Sequence, residues 1–181
     1  RMSPEATARV LAHCGAVRVI EKPDESAEPL TAPVAVGPGD PAQILYTSGT
    51  TGTPKAVLAC HANLTHGWAT APRQRPLAHS RHFLHSFPIG TNAAQTMLFN
   101  AIGAAPAAVM VPDFQPDDFL TLVDEYAAGT VFLVPAMAAE LVDRAPRDSV
   151  LLVGCTGAAL PPPVASALTS TFPNATVVNY Y

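Results

Sequence analysis

Short apolar runs separated by helix-patterned stretches constrain this chain more than any other feature. RHFLHSF, PAAVMVP, TVFLVP, SVLLVG and ATVVNYY each read as a strand. Between them, NAAQTMLFNAIGA has helical content. QPDDFLTLVDEYAAG places Phe119, Leu122, Val123 and Tyr126 on one helical face, with Gly129 beyond its end. AMAAELVDRA reads as a helix starting near Pro135, and PPPVASALTSTF as another. Strands that alternate with helices form βαβ units. The expected fold class is therefore α/β, a mainly parallel sheet with helices on both faces.

The first third of the chain is more broken. SPEATARVLAHCG carries helix signals: Ser3 as N-cap, Pro4 in the first turn, Glu5 at the positive end of the dipole and Gly15 to close it. VRVI, residues 17–20, reads as a strand. The proline- and acid-rich residues 21–41 read as a surface crossing. QILYT and KAVLA read as short strands, and HANLTHGWAT as a helix. No repeat, low-complexity tract or domain boundary stands out.

Composition excludes several classes. Nearly half the 181 residues are hydrophobic and 13% are charged, enough for a core and too little charge for a disordered chain. A net charge of -4 argues against a nucleic-acid partner. The three cysteines are far apart, with neither a disulfide framework nor a zinc spacing. Free thiols and the lack of a membrane-length apolar run point to a cytoplasmic protein without a membrane span.

QILYT and KAVLA flank a polar loop. The ten positions from Thr47 to Ala56 hold five hydroxyl side chains, two glycines and a lysine. Gly49 and Gly52 let backbone amides turn toward an anion. Thr47, Ser48, Thr50, Thr51 and Thr53 add hydroxyl donors, and Lys55 a full positive charge. Lysine occurs only at positions 22 and 55, against eight arginines, so its place here is notable. By composition alone a hydroxyl-rich surface turn fits as well. The Walker loop does not: no Ser or Thr follows Lys55, and a strand rather than a helix is expected after it.

YTSGTTGTPKAV closely resembles the phosphate-binding signature of the AMP-forming adenylating enzymes: acyl-CoA synthetases, adenylation domains of nonribosomal peptide synthetases, and luciferases. Ala56 replaces the final glycine of the usual pattern. LLVGCTGAALPPPV resembles the family's Gly-Gly-Ala-Pro-Leu segment, with Thr156 for the first glycine and Ala159 for the proline. VVNYY resembles the start of its Asn-x-Tyr-Gly-x-Thr-Glu motif, and GTVFLVPAMAAELV the strand and helix before these.

The resemblance implies an activity: a carboxylic acid and ATP give an acyl-adenylate and pyrophosphate, and the acyl group then passes to coenzyme A or to the phosphopantetheine of an acyl or peptidyl carrier protein. It implies that Thr47, Ser48, Gly49, Thr50, Thr51, Gly52 and Lys55 hold the β- and γ-phosphates. It further implies that Gly157, Ala158 and Ala159 line the adenine pocket with backbone, that Tyr181 stacks on adenine and that Asn179 sits at its edge. Magnesium is expected to find its ligand beyond residue 181. Phe87, Gly90, Thr91, Asn92 and Cys155 are candidates for the acid pocket. No catalytic residue and no metal ligand are assigned within the chain.

In peptide-synthetase domains an aspartate after the polar loop holds the substrate's α-amino group. The matching stretch here, FLHSFPIGTNAAQTMLF, has no acidic residue. A buried ammonium would lack its partner, so a fatty, aryl or other non-amino acid is expected. Acyl-CoA synthetases often carry a histidine where Thr91 stands. His82 and His85 receive no catalytic role, and Cys155 has no histidine arranged to activate it. The chain is expected to be a central piece, residues 1–181, of the family's large N-terminal domain, without the C-terminal lid domain and inactive alone. Activation of an α-amino acid, and a degenerate nucleotide-binding module without turnover, are the alternatives.

Overall fold

The computed structural model describes residues 3–20, 26, 28, 31–47, 55–69, 79–104 and 106–180. Its contacts fall into two compact units, Arg1–His66 and Gly67–Tyr181, a division that nothing in the sequence marks.

In the first unit α1 spans Pro4–Cys14. The Ala6 N–H donates to Ser3 Oγ (3.2 Å), proline stands in the first turn, and Gly15 closes the helix at φ 63°, its N–H donating to Leu11 O. β1 (Pro41–Thr47) and β2 (Lys55–Cys60) pair antiparallel as a separate two-stranded sheet, with Tyr46 opposite Ala56 and Thr47 opposite Lys55. A strand follows the polar loop, as expected. α2 (His61–Ala69) starts where Asn63 Oδ1 accepts the Cys60 N–H at 3.0 Å. Residues 17–20 do not form the expected strand. They have no ladder partner among the described residues, and Val17, Val19 and Ile20 are exposed. A β-type run becomes a strand only where an edge is there to pair with it.

The second unit is a five-stranded parallel sheet: β3 (His82–His85), β4 (Ala107–Met110), β5 (Thr130–Leu133), β6 (Leu152–Thr156) and β7 (Thr176–Tyr180), in the order β4-β3-β5-β6-β7. α3 (Asn92–Ala104) links β3 to β4. α4 (Pro116–Glu125) carries the chain back past β3 to β5, and α5 (Pro135–Glu140) and α6 (Pro162–Thr171) continue the same way. Right-handed crossovers that step in opposite directions place their helices on opposite faces. The core follows this rule. Leu84, Val131, Leu133, Val153 and Cys155 pack with Phe119, Leu120 and Val123 of α4, Ala138 of α5 and Leu168 of α6. Alternate residues, Phe83 and Phe132, pack with Ala94 and Met97 of α3. Period-two alternation along β3, β5 and β6 thus feeds both cores.

Two boundaries differ from expectation. α5 stops at Glu140, and Asp143 sits in the left-handed region at φ 55°, which no helix continues through. β6 begins at Leu152, opposite Thr130, rather than at Ser149. Val150 is fully buried yet lies before the ladder, because both the Leu151 and Leu152 N–H groups turn onto Gly129 O.

Candidate functional site at the carboxyl edge of the sheet

The polar loop hangs from the open end of the β1–β2 hairpin. Thr47 and Lys55 face each other as its last cross-strand pair, and both are exposed. Among the described residues no carboxylate pairs with Lys55. Its charge is therefore available at the mouth of the loop. Ser48, Gly49, Thr50, Thr51 and Gly52 lie outside the described residues, as does Tyr181.

In the second unit the reversal of crossover direction sets the geometry. The chain leaving β3 turns to one face and the chain leaving β5 to the other, although the two strands are neighbours. Their carboxyl ends form the topological switch point of the sheet, the kind of place where open α/β sheets bind ligands. The segment from Phe87 to Asn92 lies between β3 and α3 at that point. Phe87 is buried against α3 and offers little surface. Thr91 is fully committed to the turn. Its hydroxyl donates to Pro88 O (2.7 Å) and accepts from the Ala94 N–H (3.3 Å), so it serves as a helix cap. Gln95 Nε2 ties the same turn to Ile89 O at 2.7 Å. Gly90 and Asn92 are exposed, and Asn92 opens the first turn of α3.

Farther along the edge, β6 leads into Gly157, whose φ of 88° turns the chain away from the sheet. Ala158 and Ala159 follow, both exposed, and exposed Asn179 on β7 pairs with Cys155 of β6. Thr156 Oγ1 donates to Tyr180 O at 3.3 Å, holding the two strand ends together. The structure thus gathers Gly157, Ala158, Ala159 and Asn179 at one edge. A Cβ on Gly154 would meet the Phe132 ring at 2.6 Å and the Tyr180 ring at 3.0 Å; glycine lets those two rings close over the sheet beside that edge.

Cys155 does not face a crevice. It is fully buried in the core on the α4–α6 face, and burial pushes its thiol up to about 11, which keeps it protonated and unreactive. It contributes packing rather than pocket surface.

Sequence reasoning passed over His85. It is 3% exposed, its ring stacks near Phe83 and Phe87, and its Nδ1 accepts the Phe87 N–H at 3.2 Å. That bond assigns the ring proton to Nε2, and burial lowers the pKa below its ordinary 6.5. The unfolded chain binds the proton more readily, so the stability this neutral ring contributes is present above about pH 6.5 and lost as pH falls below it. Urea unfolding at pH 7.5 and pH 5 is expected to show a larger acid loss for the wild type than for His85→Asn. Equal losses would remove His85 from the acid sensitivity.

These positions gain meaning from known proteins. The family model described as AMP-binding enzyme matches residues 2–181. The chain belongs to the AMP-binding enzyme family. The 4-coumarate–CoA ligase-like 9 of Arabidopsis thaliana is 30% identical over 156 residues, covering 82% of this chain and 28% of that protein. The isonitrile lipopeptide synthase of Mycobacterium tuberculosis is 33% identical over 131 residues, covering 71% of this chain and 5% of that protein. In fold, the luciferase-like enzyme from the nonluminescent Zophobas morio mealworm superimposes with a TM-score of 0.72 at 20% identity, covering 90% of this chain and 38% of that one. The chain spans less than a third of the length of these two curated relatives.

Among the described residues no helix is long and apolar enough to cross a membrane, and no group of His, Cys, Asp and Glu could hold a metal ion.

Proposed function

We propose that the protein carrying this chain activates a carboxylic acid as its acyl-adenylate and passes the acyl group to a thiol. An oxygen of the carboxylate attacks the α-phosphorus of ATP, the bond from that phosphorus to the bridging oxygen breaks, and pyrophosphate leaves. The thiol sulfur of coenzyme A or a carrier protein then attacks the acyl carbon, AMP leaves, and the thiol proton is released. The first step needs charge neutralisation on the polyphosphate and in-line placement of the nucleophile. The observation that carries this reading is the Thr47–Lys55 pair at the mouth of the polar loop, with the lysine exposed. On it the polar loop, Thr47 to Gly52 with Lys55, holds the β- and γ-phosphates, and Gly157, Ala158, Ala159, Asn179 and Tyr181 take the adenine.

The acid is read as one without an α-amino group. The segment from Phe83 to Phe99 supplies the switch-point turn and the start of α3 and has no carboxylate. The partial positive charge at the α3 N-terminus favours a carboxylate and disfavours an ammonium. Gly90 and Asn92 are exposed on that side, beside exposed Pro88 and Ile89, and the name of the coumarate-ligase-like relative is in keeping with an aryl acid. The similarity to a lipopeptide synthase supports the competing reading, an amino acid as substrate.

Acid-dependent ATP–pyrophosphate exchange by the full protein decides between them, with a panel of fatty, aryl and α-amino acids. Exchange with fatty or aryl acids is expected. Exchange with amino acids alone would reassign the pocket. ATP binding without exchange on a broad panel would indicate a nucleotide-binding module that does not turn over.

A further inference from the structure

We propose that the hollow between α4 and residues 144–147 is an anion-binding site that takes a phosphate group, free or as a small monoester. No residue of the carboxyl-edge site lines it.

The hollow measures about 300 Å³, at the lower end of the range for small-molecule sites. Asp117, Leu120 and Thr121 of α4 line one side, and Arg144, Ala145 and Arg147 the other. The lining thus carries two guanidiniums against one carboxylate. The segment that presents the arginines is fixed by Thr171 of α6, which is fully buried. The Thr171 hydroxyl donates to Leu141 O at 2.7 Å and accepts from the Arg144 N–H at 3.2 Å. Its carbonyl accepts from the Arg147 N–H at 2.8 Å. Donors held in advance lose little freedom when a ligand arrives.

Arg147 is the group that calls for a ligand. Its side chain is 16% exposed. Nη1 donates to Ala145 O and Nη2 to Asp124 Oδ2 at 3.2 Å, while the Nε–H is buried without a hydrogen-bond partner. A charged donor left buried and unpaired is costly, and native structures seldom keep one unanswered. Nε and Nη2 form one edge of the planar fork, on which an oxyanion binds through two parallel bonds. Asp124 occupies only the Nη2 half of that edge. Arg144 adds a second fork. Its Nε donates to Glu140 O at 3.3 Å and its Nη1 to Asp117 Oδ1 at 2.7 Å, and its Nη2 bonds to no described residue.

The aspartates do not close the site. Asp117 is 85% exposed and Asp124 56% exposed, so both ion pairs are of the solvated kind that contribute little and give way readily. A phosphate group brings more charge and more acceptor oxygens than either carboxylate. Its tetrahedral oxygens can meet donors from two forks at once, whereas a planar carboxylate fills one.

The test is titration calorimetry on the full protein with inorganic phosphate and with glycerol 3-phosphate, against sodium chloride at matched ionic strength. Binding of at least one is expected, and the tighter of the two tells a free anion from a phosphate ester as the occupant. Arg147→Lys keeps the charge and loses the fork. It and Arg144→Ala are each expected to weaken binding about tenfold. Asp124→Ala frees the Nη2 half of the Arg147 edge and is expected to strengthen binding about threefold, a gain that a loosened fold would not give. No binding beyond the chloride control overturns the proposal. So does binding that both arginine changes leave intact. Thermal melting follows the fold of each variant. Should the arginine variants melt well below the wild type, Asp124→Ala decides, and weaker binding in that variant overturns the proposal as well.

Discussion

Lys55→Ala is expected to lower acid-dependent ATP–pyrophosphate exchange by about 100- to 1,000-fold, the usual loss when one preorganised charge or donor is taken from a transition state. Lys55 is exposed at the first position of β2, and its side chain supports no core. The melting temperature should therefore hardly move. Lys55→Arg should keep part of the rate, because charge survives while the compact ammonium geometry does not. The decisive comparison is exchange at saturating acid with the ATP concentration varied. A wild-type rate in Lys55→Ala would remove the lysine from the phosphate site and with it the main support for adenylation.

The largest effect on stability is expected from Phe119→Ala. Phe119 is fully buried, tilts against Phe114 with ring centroids 5.4 Å apart, and anchors α4 to the sheet. Emptying such a site costs about 3–5 kcal/mol, from lost transfer energy and the cavity left behind. That is a large share of the stability of an ordinary domain. Urea titration followed by far-ultraviolet circular dichroism would measure it. A cost below about 1 kcal/mol would mean that α4 does not pack as described, since exposed positions rarely exceed about half of that.

The middle of the sheet was readable because β3, β5 and β6 are largely buried. TVFLVP is nearly continuous in apolar residues, Phe83 and Leu84 centre the run RHFLHSF, and the bounds of α3 coincide with the stretch NAAQTMLFNAIGA. α4 was readable from its period. Phe119 and Val123 are buried as expected, and Leu122 is partly buried against the same core. Other features depend on the fold. VRVI has strand composition but no partner edge among the described residues. SVLLVG shows apolar content but not where the ladder begins, which the turn of two amides onto Gly129 O decides. At the candidate site, the family resemblance implied that Gly157, Ala158, Ala159 and Asn179 share one pocket, and the parallel register of β6 and β7 brings their strand ends to one edge. His85 and Cys155 were not readable. In sequence, a histidine or cysteine within an apolar run looks the same whether it faces a crevice or a core.

The order of the strands also governs the chain as it is made. Among the five described strands of the sheet β3 is the first to be synthesised, yet it ends up inside it, with β4 on one side and β5 on the other. When β3, α3 and β4 have left the ribosome, the flank of β3 that awaits β5 still presents unpaired amides and carbonyls beside Phe83 and Leu84. At about 5–20 residues per second, the wait until Leu133 emerges lasts a few seconds. An unpaired apolar strand edge is a template for pairing with another chain. A nascent chain of this protein is thus most vulnerable to aggregation in the interval between α3 and β5, and slowed translation there would lengthen the exposure.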